Sequence, residues 1–324
     1  MLKPDQLASF QKLCDTRERF LIISHVRPDG DAYGSTLALG LCLRAQGKDV
    51  LTVNADGLSP LFTFLPGSKE LTATLPAAPE PDRLIISVDC ADQKRLGGAF
   101  DAWKRTPDVN IDHHVSNPGY ATLNLIDANS PATAQVLHEI ITALKWPLTP
   151  EVAANLYVGL ITDTGNFRYR QTTAHTFEVA AQLVAAGADP TDLAEACYQS
   201  FRAERLLLIA EVFKAIHFAS HNRVAWFCLT PDMYARSGAI PDETEGLIEY
   251  LQAVKTVEVA FLLESLPDGL TRASMRSRGT VDVQRICQEF GGGGHRLAAG
   301  LRTKLDPAAL EKKLLDLIAK QLPE

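Results

Sequence analysis

Long apolar runs are missing from this chain. The stretches 180–188 and 257–263 are interrupted by Gln182 and Glu258 and stay far below the ~20 residues that a bilayer-spanning helix needs. The opening segment, MLKPDQLASFQKLCDTRERF, spreads charge through an amphipathic pattern and has no apolar region of the kind a secretion signal requires, so the expected location is the cytoplasm. Cysteine pairs are missing too. Cys14, Cys42, Cys90, Cys197, Cys228 and Cys287 are scattered without a CxxC, which argues against a disulfide frame and a thiolate zinc knuckle alike. There is no excess of positive charge either: 32 Lys+Arg against 39 Asp+Glu leave a net −7, unsuited to coating long nucleic acid. Gly and Pro, at 21 and 18 of 324 residues, are too few for a collagen-like or low-complexity chain. What is present, 46% apolar and 22% charged residues over that length, suits two domains of ordinary size.

The first half alternates two periodicities. Residues 20–24 (FLIIS) form a short continuous apolar run, then polar HVRPDGD, then an apolar-periodic stretch over 32–46 closed by Gly47 as a helix end would be. Further strands are expected over 50–53, 84–88 and 109–111. Continuous apolar strands joined by helices predict an α/β fold with a parallel sheet covered on both faces. Ligands of such sheets bind at the carboxyl ends of the strands. Ser24-His25, Asp89 and Asp112-His113 all fall there. Helices are expected over 132–144, over 150–162 with Thr149 as cap, and over 173–186. A charged helical segment, 189–216, reads as a connecting arm between a catalytic domain (1–188) and a smaller α/β domain (217–324). In the latter, strands are expected over 223–229, 257–264 and 270–276, and helices over 281–290 and 307–320.

Four clusters of acids and imidazoles end predicted elements: His25, Asp29 and Asp31 in HVRPDGDAYGS; Asp89; Asp112-His113-His114; and Asp163 in GLITDTGNF. Converging charges of one sign are costly to bury without a cation among them. Oxygen-rich ligation with imidazole and no thiolate suits manganese, magnesium or iron. The four carboxylates Asp29, Asp31, Asp89 and Asp163, with His25 and His113, balance two divalent ions. Two such ions roughly 3.5–4 Å apart clamp a phosphoryl group and acidify a water, which is the chemistry of phosphoester hydrolysis.

At this point the chain resembles the DHH phosphoesterase family. Its first motif, HxxPDxDAxGS, is matched at every specified position from His25 to Ser35, the Asp112-His113-His114 triplet is the namesake, and Asp89 and Asp163 look like two further motifs. Near the C-terminus, Ser274-Met275-Arg276-Ser277 and Gly291-Gly292-Gly293-Gly294-His295 resemble the substrate-binding domain associated with this family. The resemblance implies two divalent metal ions, manganese foremost. His25, Asp29 and Asp89 would hold one, and Asp31, Asp89, His113 and Asp163 the other, with Asp89 bridging and catalytic. It gives His114 a catalytic place facing the substrate phosphate, as donor or acid.

Residues 268–304 hold seven bases (Arg272, Arg276, Arg278, Arg285, Arg296, Arg302, Lys304) against three acids (Asp268, Asp282, Glu289), a local +4 around the glycine run. Four glycines leave backbone N–H groups open to a phosphate. Arg276, Ser277, Gly292, Gly293, Gly294 and His295 are therefore expected to bind substrate, with Arg168 contributing from the catalytic domain. Within the family the size resembles the stand-alone hydrolases of short oligoribonucleotides, many of which also dephosphorylate 3′-phosphoadenosine 5′-phosphate. Soluble linear or cyclic dinucleotide phosphodiesterases are the alternative. The partners implied are short oligoribonucleotides or nucleotides as substrate, with no long nucleic acid and no membrane, and a homodimer is compatible. A regulator that had lost catalysis would show a substituted ligand, and none of the six is substituted.

Overall fold

A computed structural model describes residues 2–244 and 246–322. The chain divides into two compact units, 1–200 and 201–324. The first contains, in chain order, α1 (Pro4–Thr16), β1 (Arg19–Ile23), α2 (Gly30–Ala45), β2 (Asp49–Val53), β3 (Leu71–Thr72), β4 (Arg83–Val88), α3 (Gly98–Asp101), β5 (Val109–Asp112), β6 (Leu123–Ile126), α4 (Thr133–Ala143), α5 (Pro150–Asp163), α6 (Ala174–Ala185) and α7 (Pro190–Tyr198).

Its six strands lie parallel in the order β3-β2-β1-β4-β5-β6. Neighbours run outward in both directions from the β1/β4 pair, so the connections after these two strands part there and open a crevice at their carboxyl ends. Register brings Ile23 beside Ser87 and Val88 beside Ile111, which lines up the ends of β1, β4 and β5. Strict alternation explains the two-sided burial: Phe20, Ile22, Leu84, Ile86, Val88, Val109 and Ile111 join the core under α2, α4 and α5. Leu21, Ile23, Val53 and Ile85 face the other way with Leu96 and Phe100. Each such side chain, fully withdrawn from water, contributes roughly 1.5–3 kcal/mol.

The second unit contains α8 (Ala203–Lys214), β7 (His217–Ala219), β8 (Val224–Leu229), α9 (Pro231–Ser237), α10 (Leu247–Gln252), β9 (Val259–Ser265), β10 (Thr271–Ser277), α11 (Val283–Gln288), β11 (Gly293–His295), β12 (Ala298–Thr303) and α12 (Pro307–Gln321). Its mixed sheet runs β11-β12-β10-β9-β8-β7, parallel only at β8/β9. The segment expected as one connecting arm is two helices that belong to different units. α7 buries Leu193 in the first core, and α8 buries Leu208 and Val212 in a core of the second.

The glycine run departs from its expectation. Instead of an open loop it makes a turn and an edge strand: Gly291 and Gly292 donate their N–H groups to Gln288 and Cys287, and β11 pairs with β12. A Cβ at Gly292 would run into the Gly300 carbonyl, and one at Gly294 would lie 2.6 Å from the Ala298 carbonyl. These two glycines are there because backbone meets backbone. Gly293 alone of the three looks into open space. Ser277 is buried, and its hydroxyl accepts the Gly279 N–H, so it shapes the turn after β10.

No helix among the described residues is long and apolar enough to cross a membrane.

On α4, His138 is 3% exposed, and neither ring nitrogen has a hydrogen-bond partner. Burial pushes its pKa down to about 4. The unfolded chain therefore takes up this proton near the ordinary pKa of ~6.5 while the folded chain refuses it, so stability falls as pH drops from about 6.5 toward 4. The expected loss is at most ~3 kcal/mol. Thermal unfolding of His138→Phe across this range should lose less than the unmodified protein. Parallel curves would remove His138 from the acid sensitivity.

Candidate metal centre

The crevice is lined by the ends of β1, β4, β5 and α5 and by the starts of α2 and α4. His25 follows β1. Asp29 caps α2: its Oδ1 accepts the N–H groups of Asp31 and Ala32, both at 3.0 Å, which leaves Oδ2 pointing at His25 Nε2, 3.9 Å away. Asp31, in the first turn of α2, is completely buried. It accepts the Thr133 N–H at 2.6 Å and the Ala134 N–H at 2.9 Å, so the positive end of α4 is aimed at it. Gly159 of α5 makes room for that carboxylate, since a Cβ there would lie 2.7 Å from Asp31 Oδ1.

Asp89 stands at the centre with a left-handed backbone, φ +51. Its Oδ2 is 3.4 Å from His25 Nε2, and its Oδ1 is 3.5 Å from His113 Nε2 and 3.7 Å from His114 Nδ1. Thr133 Oγ1 donates to the same Oδ1 at 3.0 Å. His113 Nδ1 lies 3.2 Å from the Ser130 carbonyl, which only accepts, so Nδ1 carries the proton and Nε2 turns its lone pair to Asp163 Oδ2 at 3.1 Å. His114 Nδ1 instead donates to Asp112 Oδ1 at 2.8 Å.

The charges are uneven. Burial, and then the charges of Asp89, Asp163 and Asp29, push the Asp31 carboxyl well above its usual range; burial and then Asp29 and Asp89 do the same to Asp163. Burial works in that direction on Asp89 as well, but the hydrogen bond to His25 and the nearness of His114, His25 and His113 hold it below the carboxylate range. The two adjacent histidines are driven apart. Burial and the neighbouring His114 charge lower the pKa of His113, whereas at His114 burial is outweighed by the bond to Asp112 and the charges of Asp112, Asp89 and Asp163, which carry it up to about 9. The two shifts run in opposite directions, His113 toward losing its proton and His114 toward keeping it.

This arrangement fits divalent cations. A neutral Nε2 and a carboxylate oxygen 3.1 Å apart present lone pairs to each other, and the two uphill carboxylates need a positive charge between them. His25, Asp29 and Asp89 offer ligand atoms that lie within 4.8 Å of one another, and so do Asp31, His113 and Asp163. Asp89, Asp112, His113 and His114 form a third such group. The structure thus brings together His25, Asp29, Asp31, Asp89, His113, His114 and Asp163. Arg168 follows α5 with its Nε bound to the Gly165 carbonyl at 2.6 Å. Arg276, Ser277, Gly292, Gly293, Gly294 and His295 lie on β10 and β11 and the turn before β11, in the second unit.

Two contributors, Thr133 and Arg95, had no place in the sequence analysis, and a third, Asp112, was named there without a role. Thr133 holds both Asp31 and Asp89. Asp112 anchors His114. Arg95 brings Nη2 to 2.8 Å from His25 Nδ1. Only Asp112 carried a local signal, its place in the triplet.

An acid-and-imidazole cluster at the switch point of a parallel sheet suits a metal-dependent hydrolase, and comparison with known proteins makes the class that of the phosphoric ester hydrolases. Residues 19–160 match the DHH family, N-terminal domain, and residues 227–323 match the DHHA1 domain. The chain belongs to the DHH family of phosphoesterases. The bifunctional oligoribonuclease and PAP phosphatase NrnA of Thermus thermophilus is 33% identical over 305 residues, covering 93% of this chain and 89% of that protein. The protein of the same name from Bacillus subtilis is 27% identical over 294 residues, 87% of this chain and 88% of that one. The crystal structure of an exopolyphosphatase-related protein from Bacteroides fragilis superposes with a TM-score of 0.86 at 23% identity, covering 99% and 97% of the two chains. RecJ of Thermus thermophilus in complex with Mn2+ shares the fold at TM-score 0.57 and 15% identity, with all of this chain covering 56% of that one.

Proposed function

We propose that the protein hydrolyses short oligoribonucleotides to mononucleotides and removes phosphate from 3′-phosphoadenosine 5′-phosphate, using two manganese ions. The observation that carries the reading is the likeness to the Thermus thermophilus NrnA along 93% of the chain, in a chain whose acids and imidazoles gather into groups that could hold metal ions. His25, Asp29 and Asp89 would hold one ion and Asp31, Asp89, His113 and Asp163 the other, with Asp89 shared. Bound there, the ions would neutralise the phosphate and acidify the attacking water. The remaining work belongs to the chain. The start of α4 and the Thr133 hydroxyl keep Asp31 and Asp89 from rotating. His114, braced by Asp112, would donate to the scissile phosphate or to the leaving oxygen. Arg276 and His295 of the second unit bind the nucleotide, the glycines of 292–294 shaping the strand that carries His295, and Arg168 of the first unit binds it as well.

The test is a labelled panel incubated with manganese: a two- to five-mer RNA, a 24-mer, linear and cyclic diadenylate, 3′-phosphoadenosine 5′-phosphate and pyrophosphate. Preferred turnover of the short RNAs and of 3′-phosphoadenosine 5′-phosphate supports the reading; preference for cyclic diadenylate or pyrophosphate replaces it. Arg276 on β10 spends Nη1 on the Met275 carbonyl at 3.2 Å and has the rest of its guanidinium for a phosphate. Arg276→Ala should therefore raise KM for a dinucleotide roughly 10–150-fold, with kcat little changed and a small chromogenic phosphodiester spared. Equal losses on both substrates would make Arg276 a structural residue.

A further inference from the structure

Behind Asp112 runs a buried polar chain that the hydrolytic reading leaves unused. Asn110 in β5 and Ser87 in β4 are both completely buried, at positions where a parallel strand covered on both faces ordinarily takes an apolar side chain. Polar groups there persist only when hydrogen bonded. Asn110 Nδ2 donates to Ser87 Oγ at 3.0 Å and to the Tyr120 hydroxyl at 3.1 Å, and its Oδ1 accepts from Asn117 Nδ2 at 2.6 Å. Asn117 Nδ2 also donates to Asp112 Oδ2 at 2.6 Å. The orientation of that amide is fixed by the Gly119 N–H, which donates to Asn117 Oδ1 at 2.8 Å and so turns the NH2 toward Asp112. With one carboxylate oxygen held by Asn117 and the other by His114, Asp112 cannot swing. At the far end, the Tyr120 hydroxyl donates to the Cys90 carbonyl at 2.8 Å, the short contact there, since Asn110 and Asn117 reach the same carbonyl only at 3.4 and 3.5 Å. That carbonyl belongs to the residue directly after Asp89, whose left-handed backbone has to be held against its intrinsic cost.

We propose that Tyr120, Asn110 and Asn117 form a positioning relay that sets two members of the site together, Asp89 through the Cys90 carbonyl and His114 through Asp112. The relay rests on the reading of Asp89 as the shared carboxylate and His114 as the donor. It predicts separable effects at its two ends. Tyr120→Phe removes only the hydroxyl and loosens Asp89. Asn117→Ala frees Asp112 and lets the His114 ring turn, which weakens a donor whose value depends on fixed geometry.

A plain loop-stiffening role predicts something else, and Asn124 tells the two apart. Its amide holds the same loop, through the Ala121 N–H and the carbonyls of Gly119 and Ala121, without touching the relay.

The experiment compares Asn117→Ala, Tyr120→Phe and Asn124→Ala with the unmodified full chain. Three measurements are made: Mn2+ affinity by titration calorimetry, kcat and KM on bis-p-nitrophenyl phosphate, and the His114 Nδ1 proton by imidazole NMR before Mn2+ is added. Asn117→Ala is expected to lose the downfield His114 proton and roughly 10–100-fold in kcat, with KM and Mn2+ affinity held. Tyr120→Phe is expected to weaken Mn2+ binding about tenfold and keep the proton. Asn124→Ala is expected to change neither, even if it unfolds at a lower temperature. Should Asn117→Ala not fold, Asn117→Ser is read in its place by the same criteria. Retention of the proton and of kcat in the Asn117 variant overturns the relay, as do equal losses in Asn124→Ala. If the unmodified protein hydrolyses no phosphoester, the functional reading falls, while the proton and the Mn2+ affinity still decide the relay in either direction.

Discussion

Asp89→Ala is expected to lower turnover by roughly 10²–10⁴-fold even at saturating manganese. The carboxylate is 2% exposed and meets three imidazoles, with one oxygen toward His25 and the other toward His113 and His114. Removing a buried charge from such a constellation typically costs ~3–5 kcal/mol, and ~4 kcal/mol in the transition state is about 10³ in rate. In the proposed ligand sets both ions use Asp89, so metal content should drop with activity, and elemental analysis next to steady-state kinetics checks both. A variant that keeps more than roughly a tenth of the turnover with two ions bound would take Asp89 out of the shared position.

His114→Ala should lower kcat by roughly 10²–10⁴ and leave metal content as it was. The geometry separates this residue from its neighbour. His113 presents an unprotonated nitrogen to the cluster, whereas the His114 nitrogen nearest to Asp89 is already committed to Asp112 at 2.8 Å. Ligation through that nitrogen would have to break a charge-assisted hydrogen bond. Loss of one ion per chain in the variant would make His114 a ligand and require a new place for His113.

Much of the first unit was legible because β1, β4 and β5 are covered on both faces, and such strands read as unbroken apolar runs. Their ends were legible for the complementary reason: an acid or imidazole directly after such a run has to serve something. β6 (LNLI) is short and places Asn124 among its apolar residues, so it gave no run to find. The glycine segment misled because sequence does not show what a missing Cβ makes room for. Gly292 and Gly294 admit a neighbouring strand where an open phosphate loop was expected. Thr133 and Arg95 were out of reach on other grounds. Thr133 meets Asp31 across 102 residues and Asp89 across 44, and Arg95 meets His25 across 70. No local pattern encodes a partner at that distance. Asn117, five residues from Asp112, was closer to being readable.

The carboxylate of Asp31 has a consequence for how the protein is made. It serves as the anchor for the start of α4, so the beginning of that helix and one wall of the centre are the same set of hydrogen bonds. During synthesis, a ribosome that has released only the first 130 residues has delivered His25, Asp89 and His113 but neither the helix that fixes Asp31 nor Asp163 at the end of α5. Contacts of such long sequence separation form late. On the proposed ligand sets the nascent chain consequently lacks a finished metal centre until α5 has emerged and docked.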